Sequence, residues 1–180
     1  MPFGDIDRQV LDAVASGLRE AFGCDAAVLA AVPVPSRAYH PGRSQYRSTE
    51  ILHLLERSSA GGRERVLGVI DRDLYVPELK FVFGEADIAA GVAVISLTRL
   101  RQEYYGRPAD PHLFLQRAVK EAVHELGHTI GFRHCPDPRC IMHFSNSLAD
   151  TDRKGPGFCR ACGSAGADRT QDPENDIWQR

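Results

Sequence analysis

Three histidines and a glutamate fall within eleven residues of this 180-residue chain, in the run His124-Glu125-Leu126-Gly127-His128-Thr129-Ile130-Gly131-Phe132-Arg133-His134. At about 3.6 residues per turn, His124 and His128 stand one turn apart on one helix face, so both rings reach a metal about 2 Å away. Glu125 is offset from them by roughly 100° around the axis, outside the ligand set but beside a metal-bound water, where a general base belongs. A third ligand from the next turn would run past the metal. The helix therefore has to stop, and Gly131 offers the left-handed backbone that ends it and lets His134 return from beyond the turn. Three imidazoles leave a fourth position open, as in a catalytic rather than a structural zinc site. Zinc there lowers the pKa of water and polarises a carbonyl, while Glu125 takes the proton and passes it to a leaving amine. Hydrolysis of a peptide bond is the natural reaction. A bare His-Glu-x-x-His also arises from solvated or packed helix side chains; the glycine and third histidine lengthen the match.

The cysteines carry a second, largely independent signal. Cys135 and Cys140 are separated by four residues, Cys159 and Cys162 by two, and the two pairs by eighteen. This is close to the zinc-ribbon spacing, in which two short loops each offer two thiolates to a tetrahedral zinc. Four thiolates leave no room for water, so such a site is structural. Two disulfides are the alternative, and no export signal favours them. The fifth, Cys24, reads as a small buried residue. Because His134 and Cys135 are adjacent, the two metal sites have to be mechanically coupled, with two zinc ions per chain, one catalytic and one structural.

The glycine and third histidine give the chain a resemblance to the metzincin metalloproteases. The residues that follow, His134-Cys135, Cys140-Ile141-Met142 and Cys159-x-x-Cys162, narrow it to the archaemetzincins, also called archaelysins. The resemblance extends upstream through Ser44-Gln45-Tyr46, Val66-Leu67-Gly68-Val69, Asp73-Leu74-Tyr75-Val76-Pro77 and Phe81-Val82-Phe83-Gly84 to Ala93-Val94-Ile95-Ser96-Leu97. It leaves out only the polar C-terminal tail. It implies a methionine turn under the metal at Met142, a residue that on its own reads as core packing. It also implies a substrate-pairing edge strand within residues 83–91, for which a surface hairpin without a partner is the alternative. The chain departs from such folds in three ways. Only Met1-Pro2-Phe3-Gly4 precedes the first helix, so the usual first strand is short or missing. Phe144 stands where some metzincins have a ligating tyrosine, and His143 is assigned a non-ligand role.

Length and a 43% hydrophobic content fit a single domain with one core. A net charge of −2 argues against nucleic acid or an anionic membrane as partner. The apolar runs are too short to span a bilayer, and neither a signal peptide nor a propeptide is expected at the N-terminus. A cytoplasmic monomer acting on peptide or protein substrates is expected.

The elements that must position these residues read as α/β. Asp5 or Asp7 can cap a helix with Val10, Leu11, Val14, Leu18 and Phe22 at helical spacing. Residues 26–34 read as a buried strand ending at Pro33 and Pro35, 36–47 as a loop, and 48–59 as a second helix. After a turn at Gly61-Gly62, residues 66–70 read as a strand, 74–76 as a bend, 80–83 as a strand, 84–91 as an irregular edge and 92–97 as a buried strand. Asp110 or Pro111 then opens the helix that delivers His124 and His128. With the resemblance, this becomes a metzincin-like zincin fold: a twisted mixed sheet with a backing helix and an active-site helix (upper subdomain, about 1–131), an irregular zinc-stapled lower subdomain (about 132–167) and a polar tail (about 168–180).

Two functions from different classes follow. One is a zinc metallopeptidase, with aminopeptidase action on short peptides as one form of it. The other is a proteolytically silent zinc-containing peptide-binding or scaffold protein. Glu125 favours the first, since a binding module has no need of that carboxylate.

Overall fold

The computed structural model describes residues 1–58 and 65–169, with side chains through residue 164. The expected Gly61-Gly62 turn and most of the polar tail lie outside the described residues. Helix α1 (Arg8–Phe22) starts where the Asp7 carboxylate accepts the Gln9 N–H at 2.8 Å and ends at Gly23, whose φ is +62°. Strands β1 (Pro2–Phe3), β4 (Val66–Ile70), β7 (Val92–Ser96) and β6 (Gly84–Asp87) form a sheet in the order β1-β4-β7-β6. Its first three strands are parallel, and β6 runs antiparallel to β7 at the edge.

Both faces of this sheet are covered. Leu67, Val69, Ala93 and Ile95 pack with α1 and with α3 (Pro111–Thr129), while Val66, Ile70, Val92 and Val94 pack with Ile51, Leu52 and Leu55 of α2 (Ser48–Ser58). The alternation of adjacent strand residues between two apolar layers is why β4 and β7 read as continuous hydrophobic runs. Helices α1 and α3 approach closely at Gly17, where a Cβ would collide with Val119.

The short first strand is present, as only two residues. Residues 26–34 are not a regular strand: only Val32 bridges, parallel to Phe3. Ala26, Val28, Val32 and Val34 are half-buried while Ala27, Leu29, Ala31 and Pro33 face solvent. The pairing consists of the Val32 N–H bonded to Pro2 and the Gly4 N–H bonded to Val32, and it ends where Gly4, with φ +78°, takes the chain after β1 out of the extended conformation. The expected loop at 36–47 holds a short 3-10 turn, Ser36–Ala38, and strands β2 (Tyr39–His40) and β3 (Gln45–Arg47). With β5 (Leu74–Tyr75), expected as a bend, they form a second sheet in the order β2-β3-β5. The strand expected at 80–83 is a single bridge, Val82 to Leu74. Pairing with β7 begins one residue later, at Gly84 opposite Ile95, within the stretch read as irregular.

Beyond Gly131 the chain has little regular structure besides α4 (Leu148–Arg153) and α5 (Arg160–Arg169). Charges tie this lower part to α3. Arg117, almost fully buried, grips Asp152 through two bonds of 2.7 Å, and buried Lys154 bonds Glu121 at 2.8 Å.

Candidate metal and catalytic centre

Helix α3 is anchored at its start by the Asp110 carboxylate, which accepts the Leu113 N–H at 2.9 Å, with Pro111 in the first turn. Its last turns carry His124 and His128 with ring centres 4.7 Å apart and Nε2 atoms facing at 3.1 Å. The helix ends at Thr129. Gly131, with φ +88°, donates to the His128 carbonyl at 2.9 Å, and the Phe132 N–H folds back to Gly127 at 3.1 Å. This reversal places the His134 ring 4.8 Å from His128 and 5.3 Å from His124, centre to centre. One nitrogen from each of the three rings lies within 4.8 Å of the others.

The donor set fits zinc. Nδ1 of His124 faces the Ile141 carbonyl at 2.9 Å and Nδ1 of His128 faces the Phe132 carbonyl at 2.8 Å. A carbonyl only accepts, so Nδ1 carries the proton in each ring and Nε2 presents a lone pair. Two lone pairs aimed at each other across 3.1 Å repel unless a cation lies between them. Tetrahedral Zn–N bonds of about 2.0–2.1 Å would separate the nitrogens by roughly 3.3–3.4 Å. Burial holds the rings neutral, as ligation requires: it lowers the His124 pKa well below the ordinary value, lowers that of His128, and takes the more exposed His134 to about 4.

Glu125 is buried, and this desolvation, reinforced by the nearby carboxylates of Glu121 and Glu85, pushes its pKa well above the ordinary carboxylate range, against the pull of Lys154. A raised pKa makes this carboxylate a stronger proton acceptor. It lies against Gly84 of β6: a Cβ there would stand 2.7 Å from Glu125 Oε1.

Met142 is fully buried below α3, its sulfur 2.7 Å from where a Cβ on Gly127 would be. The Met142 carbonyl accepts the Cys135 N–H at 2.9 Å, and Nδ1 of His143 meets the Cys135 carbonyl at 2.9 Å. His143 thus braces the joint between the two clusters and stands outside the histidine set. The Phe144 ring lies 4.9 Å from His134.

The sulfurs of Cys135, Cys140, Cys159 and Cys162 lie within 4.8 Å of one another. All are free thiols, with Cys135 and Cys159 Sγ at 3.7 Å, far beyond the roughly 2.05 Å of a disulfide. A tetrahedral zinc with bonds of about 2.3 Å spaces its sulfurs roughly 3.8 Å apart. The Cys159 N–H points at Cys140 Sγ from 3.4 Å. Cys24, expected to be buried, is exposed, because the left-handed Gly23 turns the chain away from the core just before it.

All the residues singled out in the sequence for the two metal sites therefore converge as two sets. Gly84, Glu121 and Lys154 were not singled out. Glu121 could have been: it sits four residues before Glu125, on the same helical face.

The family model of peptidase family M54 matches residues 44–165. The chain is similar to an archaemetzincin of Methanocaldococcus jannaschii, 41% identical over 162 residues, spanning 89% of this chain and 87% of that protein. Among solved structures it is similar to an archaemetzincin of Methanopyrus kandleri, with TM-score 0.83 and 38% identity over 95% of this chain and 93% of that one. It is also similar to a zinc-dependent peptidase of Methanocorpusculum labreanum, with TM-score 0.84 and 30% identity over 92% and 97% of the two chains. No helix among the described residues is long and apolar enough to cross a membrane.

Proposed function

Since this chain belongs to peptidase family M54 and is a zinc metallopeptidase, we propose that His124, His128 and His134 hold its catalytic zinc and that Glu125 is its general base. Zinc bound there supplies Lewis-acid polarisation of the substrate carbonyl and acidifies water. Glu125 accepts the proton from the attacking water and returns it to the leaving amine. The Ile141 and Phe132 carbonyls fix the histidine tautomers. What supports this reading most is the pair of Nε2 lone pairs facing each other at 3.1 Å with the third histidine alongside.

Strand β6, with its outer edge unpaired among the described residues, receives the extended substrate through main-chain hydrogen bonds. Cys135, Cys140, Cys159 and Cys162 hold a second, structural zinc, and Met142 floors the catalytic one. The chain acts as a monomeric single domain, with an upper part to about residue 131 and a zinc-stapled lower part after it. Its aminopeptidase form acts on short peptides and requires a free substrate amine, so acetylating the substrate N-terminus abolishes cleavage.

The deciding test is Glu125→Gln, which keeps the shape and removes the proton acceptor. Zinc content stays at the wild-type level while turnover falls about 10²-fold or more. Unchanged turnover removes Glu125 from the role of base.

A further inference from the structure

A cavity of about 240 Å³ opens beside Glu125, between residues 79–84 and 144–146. Pockets for whole small-molecule ligands start at about 300 Å³, so this one has room for a single large side chain. Phe81, Phe83 and Phe144 line it, the first two meeting edge to face at 5.2 Å. Leu79 and Phe144, both lining residues, are 45% and 44% exposed. Large apolar side chains left in water together at one cavity mouth mark a binding surface.

The cavity also has a polar wall. Glu121 lines it, and both bonds that hold this carboxylate, from Lys154 Nζ at 2.8 Å and Thr151 Oγ1 at 3.0 Å, fall on Oε1. Oε2 accepts from none of the described residues. Two carboxylates, Glu121 and Glu125, line the cavity, but Lys154 pairs with the first and Lys80 lines the same cavity, so a cationic side chain gains little there. A hydroxyl can still donate to the free carboxylate oxygen.

We propose that this cavity takes a tyrosine side chain from a substrate residue flanking the scissile bond. The ring packs among the three phenylalanines, and the phenolic O–H donates to Glu121 Oε2. The proposal rests on the reading of Glu125 as the reacting base beside the pocket.

The test is calorimetric binding to zinc-loaded Glu125→Gln protein, using alanine-glycine peptides in which one position at a time is Tyr, Phe, Lys or Ala. At one position Tyr binds about 100-fold tighter than Ala and about tenfold tighter than Phe. Adding Phe144→Ala reduces the advantage of both aromatics over Ala to a few fold. Adding Glu121→Leu with Lys154→Met removes both buried charges and the acceptor together and erases only the margin of Tyr over Phe. Tyr binding no tighter than Phe or Ala at every position, or Lys binding tightest, overturns the proposal. Wild-type cleavage of the same peptides is followed in parallel. Preferential binding of Tyr without cleavage sinks the reading of Glu125 as the reacting base and keeps the pocket; cleavage without that preference in binding sinks the pocket and keeps that reading.

Discussion

Gly84 of strand β6 and Glu125 of helix α3 touch so closely that no side chain fits between them. A Cβ on Gly84 would lie 2.7 Å from both Cδ and Oε1 of the glutamate, well inside van der Waals contact. The absence of one carbon atom thus lets β6 pass over the carboxylate while holding it in place. The strand proposed to bind substrate and the proposed base share a single contact.

Gly84→Ala is therefore expected to act on the base rather than on the fold. The atoms it would strike, Cγ, Cδ and Oε1, all belong to the Glu125 side chain, so the glutamate is displaced before β6. Turnover falls at least about tenfold, while zinc content is retained and melting shifts by no more than about 3 °C. Wild-type turnover in this variant would mean that the contact does not position Glu125.

Two zinc ions are expected per chain, one labile and one held tightly by thiolates. Elemental analysis after mild chelation should find about one zinc retained and activity lost. If all five thiols titrate freely in the native protein, the cysteine cluster holds no metal.

The cysteine cluster and the histidine cluster meet at Cys135, whose N–H bonds the Met142 carbonyl and whose carbonyl meets His143. Cys162→Ser leaves the four-thiolate set one ligand short and loosens this joint. Both thermal stability and zinc affinity at the histidines should fall, although no catalytic group is altered. His128→Ala, the control, empties the histidine site and leaves the thiolate zinc and most of the fold. Wild-type melting and full metal content in Cys162→Ser would show that the cysteines are incidental.

Lys154 and Glu121 are both almost fully buried, with side chains 0% and 3% exposed. Removing one charge strands the other away from water. Lys154→Met should cost about 3–5 kcal/mol, or roughly 10 °C in melting temperature, whereas Lys154→Met with Glu121→Gln recovers most of the loss. Denaturant titration of the three proteins measures this, and equal stability of single and double variants would refute the pairing argument.

What could be read from the chain alone was local. His124, Glu125 and His128 lie within one turn of a helix whose own geometry places them, and Gly131 announces the reversal that returns His134. The four cysteines are grouped by spacing, and Asp7 and Asp110 mark helix starts by capping chemistry that acts over two or three residues. Strands β4 and β7 were legible because burial on both faces makes them continuous apolar runs.

The tertiary structure decided the rest. Residues 26–34 have a strand's composition, but their partner at the sheet's rim is the two-residue β1, which turns away at Gly4, so they bridge at Val32 alone. The second sheet joins pieces from 39–47 to Leu74 and Tyr75, too short to leave a periodic pattern. The contact of Gly84 with Glu125 spans 41 residues and the bond of Lys154 to Glu121 spans 33, and neither has a sequence signature. Helical spacing and capping are set by the backbone within a few residues. Steric room and charge compensation between distant segments exist only once the chain has packed.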